Sequence, residues 1–575
     1  MAAVLPVLPA TAGVKHDHDE ALKNEGVLAA EKAAPHDNFA TSTSPFSWWH
    51  LLRRSGRHAD QLDSIATQES VIDQPGATNT ISPGWEGLPY LDSTLRWTWR
   101  EEYAVTRILD LRVTAFMCLC FFALHIDTSN ISSAVSANIL PNLGLNTNDF
   151  NLGNTLFAVG FLLAEFPSQL VAKKVGADRW IPTLICAWSI VAACQFWLSG
   201  KKSFLATRFL LGFMQGGFLP ECVLYFSYFY TKSELPLRLG LFWATAKICS
   251  IVTSFLAVGL LKIHIGHGGQ SWRALFLIEG CMSFVIGLFG FLVLVPGPAQ
   301  TKTRFNPKGW FTERQAGIII NKIIRDDPTK GDMHNREGIS FRSFWAALGE
   351  WDLWPLYSIG FLLAIPAQPA GSYLTQTLHS TLGFSTTDTN LLTIPPNAVA
   401  FFNTVFLAWL SEAIDSRWFA VSYINLWCLP FLVTLLIKPI THFASGWTAY
   451  AMFLLLNSSP SSVPLIVSWI SRNAASVRTR TVSASMYNVI LHLQSIASAN
   501  IYREDDKPEY RRGNRQLVII CVVAIFQPPL CALYYRIRNS MKAKQFAALS
   551  EEEQENYSST TKATGTSRLD FTFSY

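Results

Sequence analysis

The sequence predicts an all-α membrane protein of twelve transmembrane helices, arranged as two six-helix bundles. Three observations carry that expectation. Half of the 575 residues are apolar and only 15% are charged, against roughly 25% charged in an average soluble domain. The apolar residues stand in blocks of about 20, and at 1.5 Å per residue such a block crosses a hydrocarbon core about 30 Å thick. The blocks come as six, then a long polar stretch, then six more. Helices are the expected form because lipid offers no partner to an open backbone group.

Residues 1–107 are polar, with scattered His, Asp, Ser and Pro, and read as a mostly disordered cytoplasmic tail. Met1 to Gly13 is mildly apolar but lacks a basic lead and is interrupted by Pro6 and Pro9. The first span is therefore expected to act as the targeting signal. Phe46, Trp48, Trp49, Leu51 and Leu52 stand beside Arg53, Arg54 and Arg57. They read either as a helix lying on the membrane surface or as a local cluster in the tail.

Residues 108–296 form the expected N-terminal bundle, with spans 1 to 6 near 111–133, 153–172, 180–198, 203–230, 238–262 and 273–295. A cytoplasmic central loop follows over 297–350. Residues 351–538 form the C-terminal bundle, with spans 7 to 12 near 351–373, 389–411, 417–437, 446–470, 480–500 and 516–537. The tail 539–575 is polar, contains Glu551, Glu552 and Glu553, and reads as disordered and cytoplasmic. Equal halves are what an internal repeat gives, and a binding site then lies between them.

Orientation follows from Lys and Arg in the loops. Lys173, Lys174 and Arg179 lie between spans 2 and 3. The central loop carries Lys302, Arg304, Lys308, Arg314, Lys322, Arg325, Lys330, Arg336 and Arg342. The loops after spans 1 and 7 have no Lys or Arg. Both tails and the central loop are thereby assigned to the cytoplasm. One loop breaks the rule: Arg503, Lys507, Arg511, Arg512 and Arg515 fall on the expected outside, mixed with Glu504, Asp505, Asp506 and Glu509.

Several classes are set aside. A net charge of +5 with basic residues in loops does not make a nucleic-acid face. The ten cysteines lie in the apolar blocks without C-x-x-C spacing, which reads as packed free thiols and not as a metal or redox centre. No phosphate loop, zinc helix or nucleophile elbow is present, which argues against an enzyme, and no cofactor is expected.

Several segments read together as a family. Arg208-Phe-Leu-Leu-Gly212-Phe-Met-Gln215-Gly216-Gly217 on span 4 resembles the Arg-x-x-x-Gly pattern of the major facilitator superfamily. Lys174-Val-Gly-Ala-Asp178-Arg179 resembles a degenerate form of its span 2–3 loop signature, and Leu410-Ser411-Glu412 to Asp415-Ser416-Arg417 is its counterpart in the second half. Tyr230 to Arg238, Trp272 to Gly280, Gly309 to Arg314, Arg325 to Gly331, Asp352 to Pro355, Asn500 to Arg503 and Tyr510 to Asn514 look like the fungal anion:cation symporters of the allantoate permease type. The resemblance covers roughly residues 108–540. Two positions depart from it. Span 1 reads Asp127-Thr128-Ser129-Asn130 where the family has Asp-Arg-x-Asn, and Gln215 stands where many members have Glu.

A charge inside a bilayer costs a few kcal/mol, so each is a candidate for function. Asp127 shares a helical face with Asn130, Ala134 and Asn138, a small and polar face suited to a water-filled cavity. It reads either as a proton acceptor or as a hydrated residue at the membrane edge. Lys247 of span 5 has Trp243 one turn before it and Ser250 and Ser254 after it, with no acidic residue nearby in sequence. It would attract an anionic substrate, or else pair with Asp127 or Glu165. Glu165 fits proton relay or structural pairing equally. Arg208 begins span 4 with Gln215 on the same face, and the resemblance implies a part for Arg208 in proton coupling. Pro366 and Pro369 flank Gln368 and are expected to break span 7. Ser372, Thr375, Gln376 and His379 continue a polar stripe there, and Asn488, His492 and Ser495 make another in span 11. These stripes fit substrate contact or ordinary interhelical hydrogen bonding. Glu221 and Glu279 lie in span interiors without an assigned role.

The resemblance implies secondary active transport: a monomer in the plasma membrane taking up a small organic anion with protons. Allantoate, pantothenate, nicotinate, biotin and ureidosuccinate are the implied substrate types. A non-transporting nutrient sensor with the same fold and a membrane-embedded enzyme are the competing readings.

Overall fold

The computed structural model describes residues 62–67, 85–231, 234–265, 269–302, 307–326, 349–414, 416–438, 440–461, 463–474 and 477–550, together with 553–554, 557, 565–569 and 571–575. The aromatic cluster at 46–52 lies outside the described residues. Helices keep the numbers of the expected spans they occupy.

Helix is the regular structure of the described residues, joined by turns and irregular loops, and strand pairing among them is limited to a single antiparallel bridge between Ile65 and Thr98. Nine of their helices are long and apolar enough to cross a membrane, and they occupy expected spans 1–6, 8, 9 and 12. Span 7 is broken, as its prolines demand, into Trp354–Leu363, Gln368–Ser372, Leu374–Gln376 and a π turn at Thr377–Thr381. Span 10 is also broken, into Gly446–Asn457 and Val463–Asn473, where one continuous span is expected. Pro460 lies in the gap and cannot continue the hydrogen-bond ladder. Span 11 is one helix, Val477–Ala499. Span 12 runs from Arg511 to Ala547, ten residues past its expected end, so the tail begins as helix and not as disorder.

Two compact units emerge from the contacts. The first comprises residues 1–109, 227–235 and 295–336. Its described part folds around an amphipathic helix, Glu313–Asp326, which buries Ile318, Ile319, Ile320, Ile323 and Ile324. Ile318 packs with Trp97 and Ala66. Lys322 bridges Glu102 at 3.0 Å and Glu234 at 2.7 Å. The Asn321 side chain accepts from the Asp92 N–H at 3.0 Å and donates to the Tyr90 carbonyl at 2.9 Å. Residues 62–67 and 85–109 are thus folded, against the expectation of a mostly disordered stretch, because the apolar residues of the central loop give them a surface to bury.

The second unit holds the spans. Glycines allow the closest helix approaches in it. A Cβ at Gly212 of span 4 would stand 2.0 Å from the Phe157 carbonyl oxygen of span 2, and one at Gly216 2.5 Å from that of Phe161. Gly280 of span 6 meets the Ala193 backbone of span 3 in the same way, at 2.6 Å. Small residues let backbones touch where lipid supplies no hydrophobic driving force.

The two halves meet where spans 1 and 2 join, here the distal end. One continuous apolar core there takes Ile139, Phe150 and Trp272 from the first half and Tyr373, Leu378 and Tyr502 from the second. Asn151 donates to the Tyr502 carbonyl at 2.7 Å and accepts from the Tyr373 hydroxyl. Asn390 donates to Ser136 at 2.9 Å, and Thr375 donates to the Ser132 carbonyl at 2.8 Å. The basic residues of the span 11–12 loop pair locally, Lys507 with Glu504 at 3.0 Å, Arg511 with Glu509 at 2.7 Å and Arg512 with Asp505 at 2.7 Å.

Candidate functional site

Glu165 lies in the middle of span 2, 5% exposed. One carboxylate oxygen accepts from Asn488 of span 11 at 2.7 Å. The other has no hydrogen-bond partner among the described residues. The expected stripe on span 11 therefore meets the N-terminal half directly, and one turn further on His492 stacks on Phe161 with ring centroids 3.9 Å apart. A carboxylate bonded across the halves must lose that partner if the helices part.

Gln368, at the break in span 7, is also tied to span 11. It donates to Ser495 at 3.1 Å and accepts from Gln494 at 2.8 Å. The broken helix exposes backbone groups and amide side chains that a continuous helix would turn away. Gln376 is half-buried beyond this break, while the neighbouring Thr375 is spent on the contact with span 1.

Arg208 is 3% exposed. Its guanidinium donates to Asn154 of span 2 at 3.1 Å and lies over the Phe157 ring at 4.8 Å. Two further nitrogens, Nε and Nη1, have no hydrogen-bond partner among the described residues, and neither does the Gln215 amide nitrogen two turns on. Both residues are buried.

Asp127 and Ala134 are wholly buried, and Asn130 is almost so. The small polar face of span 1 does not look into a water-filled cavity, as the spacing led one to expect. It packs on spans 3 and 6, where the Trp188 indole donates to Asp127 at 3.1 Å. Helical periodicity identifies such a face but not the neighbour it meets.

Lys247 is half-buried in span 5. It forms no hydrogen bond or ion pair with any described residue, so neither Asp127 nor Glu165 neutralises it. Trp243, one turn before it, belongs to an aromatic cluster and meets Phe121 and Phe242 at 5.6 and 5.9 Å. Phe121 meets His125 at 4.7 Å. The Ser254 side chain of the same stripe is bonded to Thr393 of the second half at 2.7 Å.

Sequence reasoning thus found each charged group but missed its partners. Asn154, Trp188 and Gln494 carried no signal of their own in the sequence. Glu279 was visible as a carboxylate within a span, without a role. The described residues contain no group of three or more His, Cys, Asp or Glu side chains able to hold a metal ion.

The family model described as Major Facilitator Superfamily matches residues 117–499. The chain belongs to the Major Facilitator Superfamily. Among relatives of this major facilitator, uncharacterized transporter YIL166C of Saccharomyces cerevisiae is 38% identical, over 86% of this chain and 91% of its own. An Agrobacterium vitis protein named as a candidate tartrate transporter is 30% identical over 40% of this chain and 51% of its own. The inward-facing, unoccupied structure of a bacterial homolog of the human lysosomal transporter Spinster shares the fold. Its TM-score is 0.55 at 16% identity, over 73% of this chain and 96% of that one. The major facilitator described here is accordingly a multi-pass membrane transporter of a small-molecule substrate, and its relatives are transporters and not enzymes.

Proposed function

We propose that this major facilitator is a proton-coupled symporter of a small organic anion, of the allantoate permease type, working as a monomer of twelve spans in the plasma membrane. Lys247 carries the reading. A cation inside a span is retained at a desolvation cost, and that cost is offset only by a partner. No described residue provides one, so an anionic substrate fits the role. The kinship with a candidate tartrate transporter and the sequence resemblance to anion:cation symporters favour the same charge. Gln215, Gln368, Gln376 and Asn488 supply neutral polar groups that would orient a carboxylate substrate without neutralising Lys247.

Glu165, Asp127 and Arg208 are the proposed coupling groups. Glu165 is the most direct, because its bond to Asn488 spans the halves. Protonation removes the carboxylate's charge and weakens a charge-assisted bond, so proton binding and separation of the halves become linked. The test is uptake by proteoliposomes offered a panel of labelled carboxylates. Uptake should rise with an inward proton gradient and collapse with a protonophore. Uptake indifferent to the gradient would replace symport with facilitated diffusion, and absence of uptake for every anion would remove the anion assignment.

A further inference from the structure

We propose that the end of the second half opposite the distal end is a peptide-binding site, occupied in cis by the segment Phe571–Tyr575. The ligand class is a short extended segment of the pattern aromatic-x-aromatic-Ser. Six side chains build the site: Arg417 at the start of span 9, Trp469 and Asn473 at the end of span 10, and Tyr535, Asn539 and Lys542 on span 12.

Main-chain capture is the first feature. The Asn539 side chain donates to the Phe573 carbonyl at 2.9 Å and accepts from the Phe573 N–H at 2.8 Å. Asn473 does the same for the next residue, donating to the Ser574 carbonyl at 3.0 Å and accepting from its N–H at 2.7 Å. The Trp469 indole adds a second donor to the Ser574 carbonyl at 2.9 Å. Two consecutive residues are thus held by all their backbone groups. An amide side chain matches a peptide group in both donor and acceptor, so this pairing recognises extended backbone of any sequence.

Side-chain recognition is the second. Phe573 is 3% exposed. It stacks on Tyr535 with centroids 4.8 Å apart and planes 10° apart, and Lys542 stands over its ring at 4.5 Å. Phe571 meets Phe573 edge-on at 5.2 Å, and Arg417 donates to the Ser574 hydroxyl at 3.2 Å. Asn473 and Trp469 are wholly buried. With the segment removed, an amide and an indole N–H would lose the partners they have here, and buried polar groups are costly to leave unpaired. The site is therefore built for an occupant.

The segment ties together the ends of spans 9, 10 and 12. Its occupancy braces that end of the second half, and displacing it releases the brace.

Two measurements test the proposal. In the full-length protein in nanodiscs, hydrogen exchange should find the Phe573 and Ser574 amides at least tenfold slower than those of Thr572 and Tyr575. Exchange of all four at unstructured rates overturns it, without any variant. The second uses a labelled synthetic peptide of residues 568–575. It should bind saturably to the full-length Phe571→Ala/Phe573→Ala protein and at least tenfold more weakly to the wild type, whose site is filled. Adding Asn473→Ala should abolish the binding. Equal binding to all three proteins, or none to a folded double variant, overturns the site. Neither measurement involves transport, so failure here leaves the transport reading standing.

Discussion

Lys247 is the residue on which the most depends. A hydrogen bond to a charged group contributes about 1.5–3 kcal/mol. Lys247→Gln should therefore raise the KM for an anionic substrate by roughly ten- to a hundredfold while surface abundance is kept. Lys247→Arg should restore only part of the affinity, since a planar fork does not replace a compact ammonium. A well-expressed Lys247→Gln protein with unchanged KM would make Lys247 a residue that merely snorkels to the interface. Gly212 tests packing. A valine there must displace the Phe157 carbonyl, only 2.0 Å from the new Cβ. Overpacking of this kind costs about 1–3 kcal/mol or more, and loss of folded protein in a thermal assay is the expected result. Charge within an apolar block was enough to find Lys247, Glu165, Arg208 and Asp127 by sequence. Their surroundings were not legible, because Asn154 and Trp188 reach them through tertiary packing from other spans.

Elements were legible where local chemistry governs them. Pro366 and Pro369 announce the break in span 7. The start of span 2 was missed: Asn146 with Asp149 forms a capping box that begins the helix at Thr147, ahead of the apolar block that marked the span, as short polar side chains do at helix starts. The break in span 10 was not expected, because hydropathy averages over Pro460. The most telling element contact lies at the distal end. Glu504, in the loop after span 11, accepts from the Thr147 backbone N–H at 2.7 Å, the first residue of span 2. A carboxylate from one half thus meets the positive helix end of the other. Burial raises the Glu504 pKa, but hydrogen bonds from Thr147 and Lys507 outweigh this and leave it below the usual glutamate value. The sign follows: the carboxylate favours the closed distal end at neutral pH, and this contribution is lost as pH falls through its lowered pKa. A thiol probe at Asn148→Cys should react faster in that acid range, and Glu504→Gln should give the faster reaction already at pH 7. Equal rates with and without Glu504 would reject the latch.

At the scale of the molecule, the positive-inside pattern yields a topology test. A tag inserted at Asp332, outside the described residues, should be reached by antibody only after the membrane is permeabilised. Labelling in intact cells would invert the orientation. The segments that carry the family resemblance prove largely structural. Arg238 forks onto Asp110 with two bonds of 2.9 Å, Glu234 meets Lys322, and Asp352 accepts from Tyr534 and Arg538. The glycine contacts have a mechanical consequence. Where the backbones of spans 2 and 4, and of spans 3 and 6, touch without intervening side chains, no layer is left to slide or repack. The first half then behaves as a stiff block. Compliance is concentrated where the hydrogen-bond ladder is already cut, at residues 364–367 and 458–461. Amide exchange in the full-length protein should be fastest within the membrane at those two cuts, and uniform exchange across both halves would contradict it. A change of state would then be less a rocking of two equal shells than a lever with one rigid arm and one jointed arm.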